Sequence, residues 1–221
     1  MPDVAAFDFD GTVIRRGSVF GFLGAVSGRR RALFAAAGMF PRLVHAALVG
    51  GEVADRTKER LFERTLAGVE PGHLDRVAHV YTERLLDRVR PDIAARLDWH
   101  RGRGDAVLLV SASPEVYVGL VARRLGADGV IATRLAVGDD GRLTGHYDGA
   151  NCRGPEKIRR LRRWIERSGI TAPKLWAYGN SRGDLSMLEA ADVGVNVGRL
   201  GRFGRLRRYP SLRRTQPAAE P

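Results

Sequence analysis

Three stretches of this chain are apolar and then stop at a cluster of polar side chains. Val4 to Phe9 closes on Asp8, Asp10, Gly11 and Thr12; Ala106 to Val110 runs into Ser111-Ala112-Ser113-Pro114; Lys174 to Tyr178 runs into Gly179-Asn180-Ser181-Arg182-Gly183-Asp184. A run this short and this uniformly apolar has no polar face to offer to water, which is the pattern of a parallel strand covered on both sides. Gly129–Thr133 and Val193–Val197 read the same way. Helical stretches at Glu115–Leu125, Pro155–Arg167 and Asp184–Ala191 lie between them, and a hairpin-like segment spans Leu135–Tyr147. Strands alternating with helices predict an α/β fold, a doubly wound parallel sheet of Rossmann-like type. In such a sheet the carboxyl ends of the strands share one edge, and ligands bind there. The polar clusters therefore converge, together with Lys157 at the opening of its helix.

One long segment breaks the alternation. From Val19 to Arg90 the periodicity is helical throughout, with breaks near Gly28, Gly38–Pro41, Gly50-Gly51 and Gly68–Gly72, and no strand interrupts it. It predicts an all-helical insertion after the first strand.

The convergent set comprises three carboxylates (Asp8, Asp10, Asp184), two serines (Ser111, Ser113), Thr12, the amide of Asn180 and one lysine. Carboxylates crowded together stay ionised only if a cation balances them. Oxygen ligands without histidine or cysteine select a hard ion, here Mg²⁺, which completes its shell with water and phosphate. Lysine and hydroxyls suit the remaining phosphoryl oxygens. One carboxylate two residues from another can attack phosphorus while its neighbour moves the proton. Each motif alone has an ordinary explanation as a turn, a helix cap or a solvated lysine. All four in order, each at a strand end or helix start, point to phosphoryl transfer.

Asp8-Phe9-Asp10-Gly11-Thr12 resembles the first motif of the haloacid-dehalogenase superfamily, Val110-Ser111-Ala112-Ser113-Pro114 the second, Gly154-Pro155-Glu156-Lys157 the third and Tyr178 to Leu188 the fourth. The helical insertion resembles the cap of the phosphoserine-phosphatase-like branch. The resemblance implies a core of residues 1–15 and 91–198, a helical cap of residues 16–90 and a basic, flexible tail of residues 199–221. It implies Asp8 as nucleophile, Asp10 as general acid and base, Ser111, Ser113, Thr12 and Lys157 on the phosphoryl group, and Mg²⁺ on Asp8, Asp10, Asn180 and Asp184. Many relatives have Asp where this chain has Asn180, so the site carries one negative charge fewer. Phosphoserine phosphatases place an acid nine positions after the nucleophile to meet the substrate's ammonium. Here that position is Gly17, preceded by Arg15 and Arg16, which favours an anionic substrate over phosphoserine.

The net charge is +12, and seven arginines between residues 199 and 214, with no acid before Glu220, carry more than half of it. The cap opens with the apolar stretches Val19–Leu23 and Leu33–Phe40. Apolar cap and basic tail together predict a lipid-like or other anionic substrate and contact with an anionic membrane surface. A small-metabolite phosphatase is the alternative. A binding module without catalysis is the other, with nucleic acid disfavoured because only Phe203 and Tyr209 interleave the tail arginines. No run reaches the roughly 18 apolar residues of a spanning helix, and residues 1–10 do not resemble a targeting signal, so a cytoplasmic protein, peripheral at the inner face of the membrane, is expected. One cysteine, Cys152, excludes an internal disulfide. The five histidines show no ligand spacing and read as surface or cap residues.

Overall fold

The computed structural model describes residues 2–171, 173–198 and 204–212. Five parallel strands form the central sheet: β1 (Val4–Phe7), β2 (Ala106–Pro114), β3 (Gly129–Thr133), β6 (Leu175–Gly179) and β7 (Val193–Asn196). Their order is β3-β2-β1-β6-β7. The chain winds outward in one direction from β1 to β3 and in the other from β6 to β7, so the two halves meet at β1 and its neighbours. Val4 pairs with Ala106 on one side and Leu175 on the other. That makes β1 the innermost strand, and all four of its residues are buried.

Alternate residues of β1 serve opposite faces, as the pleat requires. Ala5 and Phe7 join the cluster beneath α6 (Pro91–Gly102) and α7 (Glu115–Arg124), whereas Val4 and Ala6 join the one beneath α8 (Pro155–Ser168) and α9 (Leu185–Ala190). Helix α6 is nearly invisible to apolar periodicity. Its inward face is Ile93, Arg96, Leu97 and His100, at helical spacing but half polar. His100 is wholly buried, which corrects the expectation of a surface histidine. Its Nδ1 meets Asp105 at 2.7 Å and its Nε2 meets Tyr178 Oη at 2.8 Å. A neutral ring donating to Asp105 and accepting from Tyr178 satisfies all three groups, and burial holds its pKa below the usual imidazole value.

Between β1 and α6 lie five helices: α1 (Val19–Ser27), α2 (Arg29–Ala37), α3 (Phe40–Val49), α4 (Gly51–Leu66) and α5 (Pro71–Leu86). Phe22, Leu61, Phe62, Leu74 and Leu85 continue the apolar cluster of the sheet into them. A short antiparallel pair, β4 (Leu135–Val137) with β5 (Leu143–Tyr147), packs on α4. The approach is close enough to require glycine: Gly145 has φ +83°, and a Cβ there would fall 2.4 Å from Glu63 Cα.

Residues 204–212 pack against the end of the sheet. A 3-10 turn at Gly204–Arg208 buries Leu206, and Leu212 is buried beyond it. Asn196 at the end of β7 binds both ends of the segment, its backbone N–H to Pro210 O at 2.9 Å and its Nδ2 to Leu206 O at 3.2 Å. Two leucines among the arginines supply apolar anchors for this part of the segment expected to be flexible. Residues 199–203 and 213–221, with the other tail arginines, lie outside the described residues. No single described helix is long and apolar enough to cross a membrane.

Candidate active site

β1 stops at Phe7, and Asp8 is the first residue past it, tied to the next strand by its N–H to Tyr178 O at 2.9 Å. Asn180 stands one residue past β6, beside it. The sharp turn after Asp8 needs Gly11, whose φ is +82° and whose absent Cβ leaves room for the Asn180 amide; a Cβ would sit 2.0 Å from Asn180 Nδ2. The glycine of the first motif thus lets the fourth motif close on the first.

Lys157 reaches this point from the first turn of α8. Its Nζ is 2.5 Å from Asp8 Oδ1 and 2.7 Å from Asp184 Oδ1, and all three groups are buried. Burial alone disfavours each charge, but two carboxylates hold the Lys157 ammonium above its ordinary pKa. Asp184 falls below the carboxylate range, because Lys157 and the bonds from Ser181 outweigh its burial. Asp8 rises to about 7, from burial and from the repulsion of Asp184, with Lys157 pulling the other way. The lysine is charged and stands between two carboxylates, one more than it can balance.

Asp184, expected among the metal ligands, also holds its neighbours in place. Oδ1 receives Lys157, while Oδ2 accepts the N–H groups of Asn180 (3.1 Å) and Ser181 (2.9 Å) and Ser181 Oγ–H (2.8 Å). Both oxygens are occupied by donors, so Asp184 positions Lys157 and the Asn180-Ser181 loop. Asp10 is also held on both sides, by the Ser18 N–H at 2.6 Å and by a short bond from Ser113 Oγ. Ser113 N–H donates in turn to Ser111 Oγ at 3.0 Å, which leaves the Ser111 hydroxyl proton for another acceptor. Among the described residues no three carboxylate, imidazole or thiol groups converge as a preformed cage.

Two buried oxygens at the site have no hydrogen-bond partner, Asn180 Oδ1 and Thr12 Oγ1. An orphaned amide oxygen beside an unbalanced carboxylate is what a hard cation would satisfy. With Asp8 Oδ2, which stands outside the lysine pair, the donor set is all oxygen and fits Mg²⁺.

Four further residues complete the site that the sequence motifs do not contain. Ser18, at the entry to the cap, bonds Asp10 through its N–H, and its Oγ lies 2.8 Å from Tyr117 Oη. Tyr81 of α5 donates to Ser18 O at 2.7 Å, so core and cap both grip this hinge residue. Lys58 of α4 crosses from the cap to the second motif, donating to Ala112 O at 2.6 Å and to Asn151 Oδ1 at 2.9 Å. Burial lowers its pKa to about 8, against the pull of Asp55 and Asp10. A signal for Lys58 did exist. The chain has three lysines among 37 basic residues, and two of them lie at this site.

Fold and site together define a capped α/β hydrolase, with its reactive groups on the carboxyl edge of a parallel sheet. The family model of haloacid dehalogenase-like hydrolases matches residues 5–189, and the chain belongs to that family. It is 36% identical over 192 residues to protein CicA of Caulobacter vibrioides, covering 86% of this chain and 84% of that one. A probable phosphatase of Mycobacterium tuberculosis is 32% identical over 228 residues, with 97% of this chain and 76% of that one covered. Among solved structures, a Bordetella pertussis protein of unknown function aligns with TM-score 0.79 at 22% identity, over 96% of this chain and 98% of that one. A substrate-bound phosphoserine phosphatase aligns with TM-score 0.66 at 19% identity, over 90% and 89%. The fold is thus that of the phosphoserine-phosphatase-like branch, and the chain is a hydrolase of the haloacid dehalogenase-like family.

Proposed function

We propose that the protein hydrolyses a phosphomonoester through a phosphorylated Asp8, with Mg²⁺ as its cofactor. The observation that carries this reading is the buried Lys157 spanning Asp8 and Asp184, which fixes one carboxylate at the centre of the strand edge. In the first half, an Asp8 oxygen forms a bond to phosphorus and the ester P–O bond breaks. Protonated Asp10 gives its proton to the departing alkoxide. In the second half, Asp10 takes a proton from water, the water oxygen bonds to phosphorus, and the bond to Asp8 breaks to release phosphate. Ser111 and Thr12 hydrogen-bond the phosphoryl oxygens, Ser113 holds Asp10 and Ser111 in place, and Lys157 neutralises the phosphoryl charge. Asp8, the backbone carbonyl of Asp10 and Asn180 Oδ1 would hold Mg²⁺, which would supply positive charge against the negative charge of the reacting groups.

For the substrate we favour an anionic ester with an apolar part. Arg15 and Arg16 are exposed just before Ser18, which bonds Asp10, and Gly17 offers no carboxylate to an ammonium group. The test is turnover of a panel of phosphate esters with Mg²⁺ or with chelator. Metal-dependent release of phosphate, abolished by Asp8→Asn and fastest on lysophosphatidic or phosphatidic acid, is the expected result. Preference for small soluble esters would overturn the substrate class, and metal-independent turnover would overturn the cofactor.

A further inference from the structure

The described residues expose nine large apolar side chains, and seven of them lie between Phe20 and Val49 on α1, α2 and α3. The two outer helices are built the wrong way round for a protein surrounded by water. Helix α2 buries Ala32 and Ala35 and exposes Leu33 and Phe34; α3 buries Ala46 and exposes Phe40, Val44 and Leu48. Phe40, Val44 and Leu48 follow at every fourth residue, so they form one stripe along α3. Phe34 is 77% exposed and Leu48 74%. A helix serving only the fold of a soluble domain turns its large apolar residues inward and its small ones outward.

The charge around this patch has one sign. No acid occurs from Val19 to Gly51, while Arg29, Arg30, Arg31 and Arg42 are all exposed there. At the elbow between the helices a groove is lined by Arg31, Met39, Arg42, Arg60, Glu63 and Arg64, four guanidinium groups against one carboxylate. Arg31 is held in it by its Nε–H bond to Arg64 O at 3.2 Å. The helices meet at 72° and have 9 and 10 residues. At about 1.5 Å per residue neither spans more than half of a hydrocarbon core of about 30 Å. Short helices with an apolar outer face and an arginine fringe suit the plane of a bilayer surface.

We propose that the α2–α3 elbow is a membrane-docking surface: Leu33, Phe34, Phe40 and Leu48 enter the interface of a bilayer, and the arginine-lined groove receives the phosphate groups of anionic phospholipid. Charge decides for lipid over a second copy of the chain. Two copies meeting through this face would bring the same arginine fringes together with no acid between residues 19 and 51 to meet them, and each carries a net +12. The placement also bears on the substrate, since the cap overlies the catalytic edge through Lys58 and Ser18. Docking itself rests on none of the catalytic residues.

The experiment is flotation of the full chain with vesicles of phosphatidylcholine containing about one third phosphatidylglycerol, and with phosphatidylcholine alone. The Asp8→Asn chain is run in parallel, so the outcome is independent of the reaction. Both chains are expected to float with the anionic vesicles. Binding should weaken between about 0.1 M and 1 M salt, as the Debye length falls from about 10 Å to about 3 Å. The paired substitution Phe34→Asp and Leu48→Asp, at exposed positions, should cut binding at least about tenfold with an unchanged melting temperature. Arg42→Gln with Arg60→Gln should remove most of the preference for phosphatidylglycerol. Failure of the unaltered chain to float at low salt would overturn the proposal, and so would equal flotation of the Phe34→Asp, Leu48→Asp variant. Dimerisation that the same variant abolishes, without flotation of the parent, would assign the face to a second copy and overturn it as well.

Discussion

Replacing Asp184 with asparagine separates two roles for that residue. If Asp184 were a direct metal ligand, the variant would lose metal affinity and change little when metal is absent. In the structure both of its oxygens accept from donors within the protein, which gives it a positioning role. Asp184→Asn removes one of the two anions facing Lys157, in a pocket where the two side chains are 1% and 2% exposed. It also turns an NH₂ group towards donors on one side or the other. Breaking a buried ion pair by neutralising one partner costs about 3–5 kcal/mol, because a charge is left behind undercompensated. Asp8 remains as a second partner for Lys157, which places the expectation at the lower end, about 3 kcal/mol. For a chain of 221 residues, at about 2–4 °C per kcal/mol, the melting temperature should fall by roughly 6–12 °C. Urea unfolding in the presence of chelator measures this without metal binding to the folded state adding its own stabilisation. Ser181→Ala serves as a scale, since it removes a single 2.8 Å bond to the same oxygen and should cost about 1 kcal/mol. A loss below about 1 kcal/mol for metal-free Asp184→Asn would refute the positioning role.

Other perturbations test other parts of the structure. Asn180→Asp puts a charged ligand where an orphaned amide oxygen now lies, so activity should persist with half-maximal Mg²⁺ at lower concentration; an unchanged or weaker dependence in a metal titration would take Asn180 out of the ligand shell. Gly145→Ala forces a Cβ to within 2.4 Å of Glu63 Cα at positive φ, and should lower stability by more than about 2 kcal/mol in urea unfolding. His100 is neutral in the fold with its pKa below 6.5. Below that pH the unfolded chain takes up a proton that the folded chain refuses, so this contribution to stability is present above 6.5 and falls as pH drops from there to the lowered folded value. Urea midpoints across that window should lose the corresponding slope in His100→Gln.

What the sequence discloses and what it conceals follow from how local each signal is. The strands of the sheet are legible because each is buried on both faces, which leaves a solid apolar run that no surface element imitates. Asp8, Asp10, Ser111, Lys157 and Asp184 are legible because strand ends and a helix start place them, whatever the rest of the chain does. Helix α6 is hidden because Arg96 and His100 occupy two of its four inward positions, satisfied by partners that sequence spacing does not reveal. Ser18 is hidden, and Lys58 is marked only by the rarity of lysine in the chain, because their significance is tertiary. One is an ordinary serine until the hinge folds it onto Asp10, and the other an ordinary helix lysine until α4 carries it to Ala112. The packing of residues 204–212 is hidden because the surrounding composition is basic and rich in glycine, while the contacts are made by Leu206 and Leu212.

In the proposed reaction Asp8 carries the phosphoryl group. The most direct test is rapid acid quenching during turnover, which preserves an acyl phosphate, followed by mass spectrometry of the peptide that contains Asp8. A hydroxylamine-labile phosphate should build up on Asp8 within the first turnover, with none in the Asp8→Asn variant. Phosphate on another residue, or full turnover with Asp8 never modified, would contradict it.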